Sequence, residues 1–116
     1  MYLVDVVRKQ LQLHPVLLYL RGTPDVPADD ATRRLVEALR VTGLPFSHVD
    51  VNFNSEIGRA VQKLSGESCF PQLFIAARFV GPVECVMAMA RNDGLREAMK
   101  KALDDAHLSA CAGAAW

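Results

Sequence analysis

An α/β three-layer sandwich around one four-stranded mixed sheet is the fold class this amino-acid sequence predicts. Three observations carry that expectation. The run "VLLYL" (16–20) is apolar without interruption, the mark of a strand covered on both faces. Helix-period stretches alternate with it and with further short strands. "QLFIA" and "RFVG" (72–76 and 78–81) stand so close that only a β-hairpin can join them.

Each element has its own signal. Val4, Val7 and Leu11 recur at helical spacing, so residues 2–13 are read as a helix that Pro15 ends. After strand 16–20 comes the loop "RGTPDVPA", and then a helix over 30–42 with Ala31, Leu35 and Leu39 on one stripe and Gly43 closing it. "FSHVDV" (46–51) alternates, as a strand nearer the sheet edge does. Asn54 or Ser55 caps a third helix whose Ile57, Val61 and Leu64 face inward. The hairpin follows. Pro82 suits the first turn of a fourth helix, where its missing N–H costs nothing. Val83, Val86, Met87 and Ala90 give that helix a core face, with Cys85 read as a core residue among them. Asn92-Asp93-Gly94 breaks it, and a last helix covers 95–106. Two strands joined through a helix should run parallel with a right-handed crossover. The resulting order is the thioredoxin-like arrangement. With 116 residues, one domain is expected, over 1–106, followed by a flexible small-residue tail, 107–116.

Bulk chemistry excludes several functions. Thirteen basic residues balance thirteen acidic ones and form no basic run, so no nucleic-acid partner is expected. No apolar run approaches the roughly 20 residues of a membrane helix. The amino-terminal segment is amphipathic and carries Asp5, unlike a secretory signal, so a cytoplasmic location is expected. The three cysteines, Cys69, Cys85 and Cys111, are odd in number and lack CxxC spacing. Neither a disulfide framework nor a metal site is expected from them or from the scattered His14, His48 and His107.

"HPVLLYLRGTPDVP", "FSHVDV", "CFPQLFI" and "FVGPVE", in this order, resemble the monothiol glutaredoxins over about residues 3–104. The resemblance implies a thioredoxin fold and a cis Phe70-Pro71 bond. It also implies a reaction centre, the family's Cys-Gly-Phe-Ser, at the start of the second helix. Laid on this chain, Cys falls on Asp29, Gly on Asp30, Phe on Ala31 and Ser on Thr32. The reactive thiol is replaced. A helix amino terminus favours a carboxylate for the reason it favours a thiolate, by roughly 0.3–1 kcal/mol. A carboxylate cannot attack a disulfide, and it is a hard ligand for soft iron–sulfur chemistry. No catalytic residue and no iron–sulfur cluster are therefore expected, and enzymatic turnover is not expected either.

The resemblance also outlines a glutathione groove at Arg21, Cys69, Phe70, Pro71, Gly81 and Glu84. Arg21 stands for the family's lysine. The family's arginine on the third helix falls on Gly58, and Arg59 lies about 100° further round. Lys63 matches a family lysine. Gly81-Pro82 replaces Gly-Gly and removes one N–H. Glutathione, held more weakly than in the family, or a protein partner is the expected ligand.

Three features keep two readings each. Asp29-Asp30 is an N-cap, or with Asp25 and Glu84 a site for a hard cation. Cys69 fills a threonine-sized place beside Pro71, or is a relocated nucleophile or redox sensor that the nearby carboxylates oppose. Arg21, Arg33 and Arg34 form a solvated face, or gather at one mouth to hold an acidic group. Cys111 is expected to be exposed, and Trp116 is a candidate terminal anchor.

Overall fold

The computed structural model describes residues 2–114, with side chains described for 3–106. The elements are α1 (Tyr2–Leu13), β1 (Val16–Leu20), α2 (Asp30–Val41), β2 (Ser47–Asp50), α3 (Ser55–Ser65), β3 (Gln72–Ile75), β4 (Arg78–Phe79), α4 (Val83–Arg91) and α5 (Gly94–Ala114). The sheet order is β2-β1-β3-β4. β1 and β2 are parallel, with Leu18 opposite His48; β3 runs antiparallel to β1 and to β4. This is the thioredoxin-like sandwich.

The uninterrupted apolar run of β1 serves two cores, because successive side chains point to opposite faces. Val16, Leu18 and Leu20 join Leu73 and Ile75 under α2, α4 and α5, against Leu35, Leu39, Val86, Leu95 and Met99. Leu17 and Tyr19 join Phe74 under α1 and α3, against Val7, Leu11, Ile57 and Val61. Tyr19 meets Phe74 edge-on at 5.7 Å between ring centroids, and its hydroxyl donates to Gln10 Oε1 at 2.8 Å.

Four details differ from the sequence reading. Pro82 is the residue capping α4, with φ −60° and ψ 165°, one place before the helix. Cys85 is exposed, on the outer side of α4. α4 buries only Val86 fully, and Cys85, one residue earlier, lies about 100° round the helix from it. β4 pairs over two residues only, Arg78–Phe79, with the Val80 N–H still donating to Leu73 O of β3 at 2.9 Å. The last helix runs to Ala114, because 104–112 contains neither proline nor glycine and is rich in alanine, the best helix former, with Gly113 only at its end. Trp116 lies outside the described residues, and the Cys111 side chain outside the described side chains.

Candidate functional site

The loop between β1 and α2 is pinned from several sides. Asp50 Oδ1, at the end of β2, accepts from the N–H of Gly22 (3.1 Å) and of Asn52 (2.9 Å). Thr23 and Val26 exchange backbone hydrogen bonds at 3.1 and 3.2 Å, Ala28 N–H donates to Arg21 O at 3.1 Å, and Arg40 reaches Asp25 at 2.8 Å. Gly22 sits at φ 89°, and a Cβ there would stand 2.5 Å from Val26 O, so glycine alone fits. This frame delivers the chain to α2 with Asp29 in extended backbone as its N-cap. The Asp29 carboxylate accepts from Thr32 N–H at 2.7 Å.

Asp30 turns to a different partner. Arg33 holds it by hydrogen bond and by charge, below the ordinary carboxylate range, and Arg33 also donates to Glu37 at 2.9 Å. Arg33 is thereby committed along its own helix. Among the described residues no group of three or more His, Cys, Asp or Glu is arranged to hold a metal ion.

Below the loop, the Phe70-Pro71 peptide is cis. Phe70 is the partition of the site. On one side its ring adjoins a polar cavity of about 180 Å³ lined by Arg21, Val51, Ser55, Gly58, Arg59, Gln62 and Phe70. The Arg21 guanidinium lies 5.4 Å from the Phe70 ring centroid, a cation–π contact. Arg21 also donates to Asn52 Oδ1 at 3.4 Å. Gly58 is buried, and a Cβ there would come within 3.7 Å of the Phe70 ring, so the ring rests on the helix backbone. Arg59, a full helical step past the family's position, nonetheless lines this cavity.

On the other side of Phe70 lies a cavity of about 320 Å³, with Ala31, Arg34, Glu67, Cys69, Pro71, Phe79, Pro82, Val83 and Glu84 in its wall. Glu67 folds back so that its carboxylate accepts from Ser68 N–H (3.0 Å) and Cys69 N–H (3.3 Å). Gln72, fully buried, donates to the carbonyls of Glu67 (2.7 Å) and Cys69 (3.1 Å). Cys69 is thus a free, exposed thiol on a backbone fixed from both sides.

Cys69, Phe70, Pro71 and Glu84 therefore come together, while Arg21 stands across the Phe70 ring from them. Gly81, at φ 129°, precedes the wall residue Pro82 and packs on Cys85. Asp29 lies at the mouth of α2 and does not line either cavity; of the three arginines, Arg34 lines the larger, Arg21 the smaller and Arg33 neither. Sequence reasoning passed over Glu67, Phe79 and Gln72. Glutamate two residues before an exposed cysteine, and a glutamine opening an apolar strand, were the available signals.

Comparison with known proteins gives a consistent result. The family model described as Glutaredoxin matches residues 31–80. Glutaredoxin 4 of Haemophilus ducreyi is 29% identical over 98 residues, covering 84% of this chain and 92% of its own length. The solution structure of reduced poplar apo GrxS14 superposes with a TM-score of 0.73 at 26% identity, over 85% of this chain and 91% of that one. The buckwheat glutaredoxin–glutathione complex superposes at 0.76 with 14% identity, over 87% and 90%, and so is alike in fold.

Proposed function

The chain belongs to the glutaredoxin family, and on that premise we propose that it is a non-catalytic member that binds glutathione in the two-sided groove without thiol–disulfide turnover. One observation carries the reading: the group at the amino terminus of α2 is the Asp29 carboxylate, already bonded to Thr32 N–H at 2.7 Å. An alkyl carboxylate has no low-lying route to a sulfur–sulfur bond, and as a hard oxygen donor it does not fit an iron–sulfur cluster. The groove retains chemistry for an elongated zwitterion. Arg21 and Arg59 suit a carboxylate at one end, and Glu84 suits an ammonium group at the other.

Two measurements test this. Turnover of a small disulfide with glutathione should stay at the uncatalysed rate; robust turnover by the native chain would sink the proposal. A glutathione titration followed by backbone amide signals should move those around Pro71. No movement there would leave a protein-interaction module, with the groove incidental.

A second reading is favoured by the free, exposed Cys69 in the larger cavity wall. It makes Cys69 the reactive thiol. Fast alkylation of Cys69 near neutral pH, with activity abolished in Cys69→Ser, would establish it.

A further inference from the structure

Resting on the glutathione-binding reading, we infer that the groove selects glutathione S-conjugates, thioethers carrying an apolar group on sulfur, over glutathione itself. A peptide laid across Phe70, with its ends in the two cavities, would run beside the wall to which Ala31 and Arg34 of α2 contribute. The first turn of α2 offers no thiol with which a free thiol could exchange. Ala31 offers a methyl group to the cavity wall, and the Asp29 carboxylate is engaged by Thr32 N–H.

The cavity on that side has room and the right walls. Its volume, about 320 Å³, is that of a whole small-ligand pocket, more than the end residue of a tripeptide requires. Beyond the polar groups Arg34, Glu67, Cys69 and Glu84, its wall is Ala31, Phe70, Pro71, Phe79, Pro82 and Val83, all apolar. An alkyl or aromatic substituent on sulfur would cover that surface; a bare thiol leaves it in water.

Charge offers a free thiol no compensating advantage. Glu67 and Glu84 line this side of the groove, against Arg34. Carboxylates keep a nearby thiol neutral, and a neutral thiol gains no charge attraction that a thioether lacks. The association is non-covalent, since a thioether offers Cys69 no sulfur–sulfur bond to attack.

The full chain, kept reduced by a phosphine, is titrated with glutathione, S-methylglutathione and S-hexylglutathione, following backbone amide signals. The expected order of affinity is hexyl, then methyl, then glutathione, with the hexyl compound about tenfold or more tighter than glutathione, a fraction of what full burial of the chain could supply. Ala31→Leu narrows the cavity and should abolish the hexyl advantage. Equal or weaker binding of S-hexylglutathione, with glutathione still moving the signals around Pro71, overturns the selectivity and leaves the glutathione reading standing. No movement with any of the three overturns both. The inference also fails if the hexyl advantage survives in Ala31→Leu, or if the hexyl-induced shifts centre on Met87 and Leu95, in the separate apolar cavity between α2, α4 and α5.

Discussion

At the scale of single residues, Asp29 caps α2 and, on the function proposed above, stands in the place of a thiol. Asp29→Ala should lower stability by about 1 kcal/mol, the usual worth of a side-chain cap, in a denaturant titration. Asp29→Asn should retain most of that, since asparagine caps as well. Asp29→Cys should confer measurable glutathione-dependent disulfide reduction, and its failure to do so would mean that the groove no longer orients glutathione. Asp30 reports on its own ion pair. Its pKa is depressed by the Arg33 hydrogen bond and charge, so its contribution is present above the unfolded carboxylate range and lost as pH falls through the folded value. Arg33→Ala should move the Asp30 titration, read by NMR, up toward the ordinary range, with the charge of Arg34 still acting on it. Tyr19 has the opposite sign. Burial raises its pKa above the ordinary 10.0, so stability is intact below that pH and declines as pH climbs from there toward the folded value. Tyr19→Phe should flatten this alkaline decline.

At the scale of elements, the β3–β4 hairpin stores an avoidable cost. Ala76 and Ala77 both have positive φ, 53° and 64°, in a two-residue turn of the primed kind that favours Asn-Gly. Alanine pays for the left-handed region in Cβ–carbonyl crowding. The double change Ala76→Asn, Ala77→Gly should stabilise the protein by about 1 kcal/mol, seen as a raised denaturant midpoint at unchanged slope. The hairpin itself was readable from two short apolar runs, but its turn carries no Asn-Gly or Asp-Gly signal. Boundaries elsewhere shifted for similar local reasons. Pro82 could have opened α4 or capped it, and only the backbone at ψ 165° decides that it caps. Cys85 belongs by composition to an apolar stretch, yet α4 buries only Val86 fully and leaves Cys85 outside.

At the scale of the whole molecule, the two-sided burial of β1 holds the layers together. Leu18→Ala, in the central strand at 0% exposure, should cost about 2–5 kcal/mol and lower the melting temperature of the whole domain. The two-faced apolar strand, the helix alternation and the identity of the capping group at α2 are local properties of the chain: hydrophobic period, proline and glycine positions, and residue type. They were therefore determined by the sequence by itself. The division of the groove by Phe70 was decided only in three dimensions, with Arg21 and Arg59 on one side and Cys69 and Glu84 on the other. So was the place of Arg34 in the larger cavity's wall beside Glu67, Cys69 and Glu84, whereas the pairing of Arg33 with Asp30 and Glu37 is local to α2. Side-chain direction depends on which neighbours compete for the same charge and space, and those neighbours come from elements far apart in the chain. No pattern along one segment contains that information.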